Sequence, residues 1–538
     1  MKQHSILHLN KSSLEDKLIV NNPNKKYIFL FAIIAVLSFV IRFWGLGDIP
    51  GGGGLNQDEA YAGYNAYSLL HYGYDSEGYS NPVYFVAWGS GMNVLESYCM
   101  IPFIKTLGLT TFSIRLPMAL LGVISVIVFG LLLKMYFGED KSLIGMTLLA
   151  IIPWHVMLSR WGLESNFFPG MCLLGLFFLF KSIYNRKYII LGMLFYGLSL
   201  YAYASPWIVM PFLVMGSVLY LVVTQRKYGI YLWIGLGVLG LVAAPLLLFV
   251  LVNMQLINPI VAPYISIPKL VVFRSADMGS TIDAIKNNII FLCSFLLKQD
   301  DKLIWNSIPQ IGTLYKVSYP FLVIGIAVSF YKAIRDYKNN TLDVLINIQF
   351  TLSILLGILQ EINANKINII LIPLVYYCFR GIVAVYELTG ARSGKLAICG
   401  IATLYCISFI FFANVYFTDY REKMEKHWGS GVDKALEYAV SIDADETSVM
   451  DIEYPVVLFF TKYPTDVFIR TVKWIDEKDA IRPIKSIEGY SFEDFYESIP
   501  EQNKVYICKA DNEEGVTFME DNKMRIERFD NYVVGTMK

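Results

Sequence analysis

The sequence predicts a mainly α-helical, polytopic membrane protein with about 11 transmembrane helices and a small C-terminal α/β domain outside the membrane. Hydrophobic residues make up 55% of the 538 residues and charged residues only 17%, which is far from the composition of an average soluble protein. The apolar residues form long runs, and a helix needs roughly 20 such residues to cross a bilayer. After Tyr416 these runs stop, and charged residues alternate with short apolar segments.

About eleven apolar runs are predicted to span the membrane. They are Tyr27–Trp44, Ile114–Met135, Leu143–Leu158, Phe167–Ile183, Tyr188–Ala204, Trp207–Val223, Tyr231–Val252, Ser318–Lys332, Leu342–Leu359, Ile367–Val385 and Leu396–Phe417. The first run is too long for a signal-peptide core and no small-residue cleavage site follows it, so we expect it to remain. The predicted division is a cytoplasmic tail at 1–26, a transmembrane domain at 27–417 with long outer loops at 45–113 and 253–315, and an extracytoplasmic α/β domain at 418–538.

The positions of Lys and Arg predict the orientation, because short cytoplasmic loops carry an excess of basic residues. Basic residues precede the first span and then recur in every second loop, at Lys25, Lys26, Lys134, Lys141, Lys181, Arg186, Lys187, Arg226, Lys227, Lys332, Arg335, Lys338, Arg392 and Lys395. This alternation predicts a multi-pass plasma-membrane protein with a cytoplasmic N-terminus and an extracytoplasmic C-terminal domain. Lys plus Arg equals Asp plus Glu at 45 each, so no charge excess indicates a nucleic-acid partner.

The long outer loops and the C-terminal part are expected to contain structure of their own. Met92–Leu107 is either part of the first loop or a twelfth span, and the basic-loop alternation favours the loop. A helical stretch near Ile282–Leu297 is expected to lie on the membrane surface. In the C-terminal domain, Gly431–Asp443 is predicted to be an amphipathic helix. The predicted strands of that domain are Ser448–Ile452, Val456–Phe460, Val467–Arg470, Val505–Cys508 and Tyr532–Val534.

Ionisable residues of both signs gather at the predicted outer ends of the spans. They include Asp58 and Glu59 in the first outer loop, Arg115 at the start of span two, Arg160 and Glu164 between spans three and four, and Lys366 before span ten. Charged residues near a membrane are costly, and by default they mark functional sites or compensating pairs. No charged residue is expected deep within a span.

Charges of both signs at the outer ends of the spans suit the transfer of a sugar from a polyprenyl phosphate, whose tail lies in the bilayer and whose phosphate lies at the interface. A carboxylate can take the proton from an acceptor hydroxyl as that hydroxyl attacks the anomeric carbon. Cations can stabilise the departing phosphate. Phosphate is a good leaving group, so a second carboxylic acid of the kind used in glycoside hydrolysis is not required.

The first outer loop also resembles that of a known family. The residues that carry the resemblance are Asn56-Gln57-Asp58-Glu59-Ala60, Gly63-Tyr64-Asn65-Ala66-Tyr67, Arg115-Leu116-Pro117, Ser159-Arg160 and Phe168-Pro169. They are similar to the dolichyl-phosphate-mannose–protein mannosyltransferase and aminoarabinose transferase superfamily, which is glycosyltransferase family 39-like. The resemblance is clearest up to the sixth predicted span and looser beyond it.

This resemblance implies a GT-C fold and an inverting glycosyltransferase with a polyprenyl-phosphate sugar donor. By the family pattern, Asp58 resembles the catalytic base and Glu59 the neighbour that helps to shape the site. Lys366 occupies a place where relatives often have Arg or His, and Arg160 and Arg115 are the other candidates for binding the donor phosphate. The expected acceptor is a protein, a glycolipid or a cell-wall polymer at the outer face.

Each candidate residue also has a structural interpretation. The alternatives are a solvated loop carboxylate for Asp58, a hydrogen-bond acceptor for Glu59, an interfacial anchor for Arg115, a snorkelling side chain for Lys366 and an i,i+4 ion pair for Arg160 with Glu164. No metal ligand is assigned among the histidines, because none has ligand spacing. Asp277, Asp300 and Asp301 could supply a further carboxylate, and the resemblance leaves a divalent cation open; no cofactor is otherwise expected.

Two other function classes remain as alternatives. One is a transporter or flippase of a lipid-linked glycan, although transporters usually bind substrate near the midplane on broken helices in related halves of the chain. The sequence has no evident repeat of that kind. The other is a receptor or scaffold, for which so many spans exceed what an anchor needs.

Overall fold

The computed structural model describes residues 24–225, 228–273, 282–389, 391–479 and 481–537. The first part of the described chain is a bundle of helices with one small antiparallel hairpin, β1 (Ile260–Ala262) and β2 (Ile265–Ile267). The helices are α1 Lys25–Phe43, α2 Gln57–His71, α3 Leu95–Leu107, α4 Thr111–Phe137, α5 Glu139–Ile151, α6 Pro153–Leu158, α7 Glu164–Lys181, α8 Tyr188–Ser199, α9 Met210–Gln225, α10 Ile230–Asn253, α11 Ile282–Lys298, α12 Ser318–Arg335, α13 Thr341–Leu359, α14 Leu371–Thr389 and α15 Ala391–Phe417.

Six helical runs among the described residues are long and apolar enough to cross a membrane. They are Lys25–Phe43, Thr111–Phe137, Ile230–Asn253, Thr341–Leu359, Asn368–Thr389 and Ser393–Ser441, of which the last includes charged helices beyond its apolar part. Other predicted spans appear as shorter apolar helices such as α8 and α9. The mainly helical membrane architecture is therefore confirmed, while the number of eleven spans stays a prediction.

Proline breaks the third predicted span, Leu143–Leu158, into α5 and α6. Ile152 is extended and Pro153 begins α6, because a proline cannot donate the backbone hydrogen bond and disfavours helical geometry in the preceding residue. The possible twelfth span is only the 13-residue helix α3, which at 1.5 Å per residue is too short to cross a bilayer.

The loops predicted to be cytoplasmic meet at one end of the bundle. Lys141 forms an ion pair of 2.6 Å with Glu387, and the Tyr136 hydroxyl donates to Asn340 at 3.0 Å. Tyr220, near the end of α9, donates to the backbone oxygen of Tyr337 at 2.6 Å. The direction of this end relative to the cell stays a prediction. The tail before residue 24, the Arg226–Lys227 pair and the side chain of Arg392 lie outside the described residues.

One buried ion pair contradicts the expectation that no charge lies deep within a span. Arg380 lies in the middle of α14 and contacts Asp343 of α13 at 3.3 Å, with both side chains almost completely buried. The Tyr376 hydroxyl donates to the same carboxylate at 2.8 Å. A buried charge is tolerated when it is paired and hydrogen-bonded, and the sequence did not indicate that these two residues would meet.

After α15 the chain forms an α/β domain. Its elements are α16 Asp419–Trp428, α17 Val432–Ser441, β3 Glu446–Val449, α18 Tyr454–Thr461, α19 Thr465–Thr471, β4 Lys473–Trp474, β5 Ile484–Ile487, β6 Tyr490–Ser491, β7 Lys504–Lys509, α20 Glu513–Asp521, β8 Arg525–Phe529 and β9 Tyr532–Thr536. The strands form one sheet in the order β4-β5-β6-β3-β7-β9-β8. Strand β3 is parallel to both of its neighbours, β6 and β7.

Two of the predicted strands in this domain are helices. Val456–Phe460 lies in α18, which begins with Pro455 in its first turn, and Val467–Arg470 lies in α19. Short apolar runs do not distinguish a buried helix from a buried strand. The predicted amphipathic helix is confirmed as α17, and the predicted strands near residues 448, 505 and 532 are confirmed as β3, β7 and β9.

The domain packs directly on the first long loop. Phe459 of α18 lies so close to Gly63 of α2 that a Cβ at residue 63 would approach its ring to 2.9 Å. The Tyr64 hydroxyl donates to the backbone oxygen of Tyr463 at 2.8 Å, and Arg482 contacts the Glu77 carboxylate at 3.0 Å. The loop and the domain therefore share one apolar core.

Candidate functional site

A cavity of about 360 Å³ lies where the first loop, the α6–α7 link and the segments around residues 305 and 364 meet. Its wall contains two carboxylates, three tryptophans and several amides. The residues that matter below are Asp58, Trp88, Trp161, Glu164, Tyr203, Trp305, Asn363 and Asn365.

Asp58 is held in the first turn of α2. The Asn56 side chain caps this helix by accepting the backbone N–H of Asp58 at 2.9 Å, as Asn commonly does at this position. The indole N–H of Trp88 donates to Asp58 Oδ1 at 2.9 Å. A carboxylate near a helix N-terminus is also stabilised by the helix dipole. These contacts orient one edge of the carboxylate within the cavity wall.

Trp88 adopts an unusual backbone conformation, with a φ of +55°. A bulky residue rarely adopts a left-handed conformation, and such residues concentrate at functional sites. Its ring packs against Tyr61 and, at a centroid distance of 5.4 Å, against Tyr454 of the C-terminal domain. The partner of Asp58 is therefore itself fixed from two sides.

Glu59 points away from the cavity and into the protein. Its carboxylate receives the Arg115 guanidinium through two bonds of 2.7 and 2.9 Å, and both side chains are fully buried. The backbone N–H of Gly162 donates to the same carboxylate at 2.7 Å. Since Gly162 lies between Trp161 and Leu163, which line the cavity, Glu59 supports the wall from behind.

Arg160 is also directed inward, and its hydrogen bonds go to carbonyl groups at the end of α1. Its guanidinium donates to the backbone oxygens of Ile41 and Trp44. The expected i,i+4 ion pair with Glu164 does not form among the described residues. Arg160 lies in a turn and Glu164 is the first residue of α7, so the two do not share a helix face.

Glu164 lies in the cavity wall instead, where its carboxylate accepts the backbone N–H of Asn93. Burial raises the pKa of Glu164 well above its usual range, and smaller effects of Asp58 and Glu96 act in the same direction. A third acid, Glu96 of α3, lies behind them, and neither of its carboxylate oxygens has a hydrogen-bond partner among the described residues. Burial, with a smaller effect of Glu59, raises the pKa of Glu96 well above its usual range. We infer that Glu96 is protonated, which limits the negative charge behind the cavity.

Lys366 lies beside the cavity and not among the residues that line it. Its backbone N–H donates to Asn363 Oδ1 at 2.8 Å, and both Asn363 and Asn365 line the cavity. The side chain is half-buried. Of the predicted site residues, the cavity wall thus contains Asp58, while Lys366 flanks it and the other three make internal contacts.

The carboxylates proposed for a cation do not form a metal site. Asp300 and Asp301 accept backbone N–H groups in their own loop, and Asp301 also accepts Ala364 N–H at 2.8 Å. Asp277 lies outside the described residues. Within the described ranges, no group of three or more His, Cys, Asp or Glu residues could hold a metal ion.

The tryptophans and asparagines of the cavity were not identified from the sequence. Trp88 and Trp305 are far apart in the chain, and the sequence favours an interfacial role for such aromatic residues. Glu164 was recognised as ionisable but was assigned to an ion pair. Only the folded chain places these residues around Asp58.

An apolar groove of about 720 Å³ runs between α9 and α10. Its wall includes Leu200 and Trp207 at one end and Val222 at the other. The Trp207 indole N–H donates to the backbone oxygen of Leu200 at 2.7 Å. Between these two residues the chain contains Tyr203, which lines the Asp58 cavity. A single short segment therefore separates the groove from the cavity.

No family model matches the chain, and no curated protein matches it. Solved structures are similar in fold. ArnT from Cupriavidus metallidurans bound to undecaprenyl phosphate has a TM-score of 0.54 at 13% identity, and the match covers 95% of this chain and 98% of that one. The apo state of the same protein has a TM-score of 0.53 at 12% identity.

A second similar protein is the oligosaccharyltransferase of Archaeoglobus fulgidus, solved with a tethered acceptor peptide. Its TM-score is 0.53 at 12% identity, and the match covers 81% of this chain but 63% of the other. Both neighbours have the GT-C fold, so the fold predicted from the resemblance is confirmed, with a β-sheet region near the C-terminus.

Proposed function

We propose that this protein is a membrane glycosyltransferase that transfers a sugar, with inversion, from a polyprenyl-phosphate donor to an acceptor hydroxyl. The observation that carries the proposal is the placement of Asp58 in the wall of a polar cavity beside an apolar groove. The GT-C fold supports it, and ArnT was solved with undecaprenyl phosphate bound.

In the proposed reaction Asp58 acts as general base. The acceptor oxygen forms a bond to the anomeric carbon and gives its proton to the carboxylate, while the bond from that carbon to the phosphate oxygen breaks. The leaving phosphate keeps the electron pair and remains on the lipid. The Trp88 N–H holds Oδ1 in place.

Lys366 is the proposed contact for the leaving phosphate, because it is the predicted cation that flanks the cavity without a buried carboxylate partner among the described residues. A cation there would stabilise the charge that develops on the phosphate. Arg115 could reach phosphate only by breaking its pair with Glu59. We therefore assign Glu59, Arg115 and Arg160 the role of positioning the cavity wall.

The apolar groove between α9 and α10 is the proposed place for the isoprenoid tail. It is lined almost entirely by apolar side chains, and burial of an apolar chain is favourable by about 25 cal/mol for each Å² removed from water. Leu200 and Trp207 at its end adjoin the segment that carries Tyr203 into the cavity. A phosphate at that end would lie at the cavity entrance.

The predicted location and domain division belong to the same proposal. The cavity would face outward, the N-terminus would be cytoplasmic, and the domain at 418–538 would be extracytoplasmic, as the basic loops indicate. The acceptor would be a protein, a glycolipid or a cell-wall polymer of the envelope. A transporter is the less favoured alternative, since Asp343 and Arg380, the charges buried between helices, are paired with each other.

The test is sugar transfer by membranes containing the native chain or Asp58→Asn, with a panel of labelled polyprenyl-phosphate sugars and native membrane acceptors. We expect Asp58→Asn to lose at least roughly a hundredfold in kcat, the lower range for general-base catalysis. The matched control is Asp283→Asn, which changes an exposed carboxylate in the first turn of α11.

Equal transfer by Asp58→Asn and the native chain would remove Asp58 from the mechanism. Absence of transfer by the native chain with every donor would instead contradict the glycosyltransferase function and favour transport. Binding of labelled undecaprenyl phosphate to the purified chain distinguishes loss of the catalytic base from loss of the folded donor site, because Asp58→Asn should retain this binding.

A further inference from the structure

The cavity that contains Asp58 is bordered by the C-terminal domain on two sides. On one side Trp88 packs against Tyr454 at 5.4 Å. On the other side Trp305 stacks on His427 of α16, also at 5.4 Å and with an angle of 24° between the rings. Both tryptophans line the cavity, so Tyr454 and His427 extend its walls into the domain.

Two charged residues of the C-terminal domain, Glu453 and Lys509, lie near these contacts. Glu453 directly precedes Tyr454. Desolvation raises the pKa of Glu453, although its side chain still reaches solvent, and the positive charge of Lys509 opposes this rise. Partial burial and then the charge of Lys509 lower the pKa of His427. The charge of Lys509 thus acts on both Glu453 and His427. We call the side chains of Trp88, Trp305, His427, Glu453 and Lys509 the rim.

The rim lies at a position where α/β sheets commonly bind ligands. Glu453 follows the carboxyl end of β3, and Lys509 is the last residue of β7. The chain leaves β3 toward β4, β5 and β6 on one side and returns to β7 on the other. Ligands bind outside the carboxyl ends of parallel strands where the strand order reverses in this way.

The two charges at the rim are close but do not neutralise each other directly. In the parts of the chain that the structure describes, no ion pair within 4.0 Å joins Glu453 to Lys509. The nearby Asp451 accepts Asn512 Nδ2 at 2.8 Å and Lys509 N–H at 3.4 Å. A carboxylate and an ammonium group of the rim therefore remain without a direct ion pair to each other among the described residues.

We propose that the rim binds the acceptor, and that this acceptor is a saccharide. A sugar hydroxyl is both donor and acceptor, so it can donate to the Glu453 carboxylate and accept from the Lys509 ammonium group. The indole rings of Trp88 and Trp305 offer apolar faces against which a sugar ring can pack. The attacking hydroxyl of a saccharide held there points down the cavity toward Asp58. This inference rests on the proposed function and assigns the C-terminal domain the choice of acceptor.

The direct test does not require transfer. The purified full-length chain is titrated with maltotetraose, cellotetraose, mannotetraose and chitotetraose while its tryptophan fluorescence is followed. We expect saturable quenching by at least one of these sugars and roughly tenfold weaker binding in both Glu453→Gln and Lys509→Met, since each loses a hydrogen bond to a charged group. Matched controls are Glu437→Gln and Lys523→Met, which change exposed residues elsewhere in the domain.

Two outcomes would overturn the inference: no saturable binding of any of the four sugars by the native chain, or equal binding by the native chain and both rim variants. Where transfer is measurable, the rim variants should raise the acceptor KM roughly tenfold and leave the donor KM unchanged. Transfer to acceptors without a saccharide refutes the rim but not the glycosyltransferase. Sugar binding at the rim without transfer by the native chain refutes the glycosyltransferase but not the rim.

Discussion

The buried pair of Glu59 and Arg115 offers the sharpest test of how the candidate site is held. Replacing Glu59 with Gln keeps the size of the side chain and removes its charge. The Arg115 guanidinium would then stay fully buried without the negative charge that it now meets through two bonds of 2.7 and 2.9 Å, and only the amide oxygen could still accept one of its N–H groups. The remaining partners of Arg115 are the backbone oxygens of Leu46 and Ile49.

Breaking a buried ion pair by removing one partner costs about 3–5 kcal/mol, because the other charge remains uncompensated. We therefore expect Glu59→Gln and Arg115→Gln each to lower the free energy of unfolding by about that amount. The double variant leaves two neutral amides in contact, so its loss should be smaller than the sum of the single losses by about 2 kcal/mol, within the range for residues in direct contact. The matched control is Glu493→Gln, whose pair with Lys485 is about half exposed and should cost less than about 1 kcal/mol.

The measurement is equilibrium unfolding of the native chain, the two single variants, the double variant and the control in mixed micelles, with sugar transfer measured in parallel. Because Glu59 supports the cavity wall through Gly162, transfer should fall to a similar degree in both single variants. Single losses below about 1 kcal/mol, or strict additivity in the double variant, would refute the positioning role. A large fall in kcat for Glu59→Gln with normal activity in Arg115→Gln would instead indicate that Glu59 acts on the substrate.

Three further predictions concern the side chains of Trp88, Asp75 and Asp343. Trp88→Phe removes the N–H that orients Asp58 and should lower kcat roughly tenfold, the value of one hydrogen bond to a charged group, with donor binding unchanged; an unchanged kcat would contradict it. Burial raises the pKa of Asp75 to about 7, so the folded state keeps a proton that the unfolded chain releases near pH 4. The free energy of unfolding should therefore fall as pH rises from about 4 to 7, and Asp75→Asn should flatten this profile in thermal unfolding at several pH values; an unchanged slope would exclude Asp75 as its source. Asp343→Asn leaves Arg380 buried without its ion-pair partner and should cost about 3–5 kcal/mol, whereas an unchanged melting temperature would show that the neighbouring hydroxyls suffice.

The sequence predicts the secondary structure of the helical bundle better than that of the C-terminal domain. In the bundle, length and hydropathy indicate helices directly, because a membrane requires each segment to satisfy its own backbone hydrogen bonds. In the C-terminal domain, runs of four or five apolar residues fit a strand or a buried helix equally well. The runs around residues 456 and 467 follow prolines that mark helix starts, since Pro455 lies in the first turn of α18 and Pro464 is the N-cap residue of α19.

The candidate site shows a similar limit. Asp58 could be identified because a family pattern surrounds it in the sequence. Glu164 was assigned to Arg160 because the spacing of four residues suits a helix, yet the structure begins α7 only at Glu164. The partners of Asp58 depend on contacts between distant segments, such as the 30 residues that separate it from Trp88. No local pattern encodes those contacts.

Helix ends explain how two buried arginines near the site, Arg42 and Arg160, are held without an ion pair to a carboxylate among the described residues. The last carbonyl groups of a helix have no partner within it, and they form the negative end of the helix dipole. Arg160 donates to Ile41 and Trp44 at the end of α1. Arg42 donates to Ala150 and to Leu149, whose helix α5 ends just before Pro153. The proline that divides the third predicted span thus also exposes the carbonyl groups that hold Arg42, and these cations stabilise helix ends without needing a carboxylate.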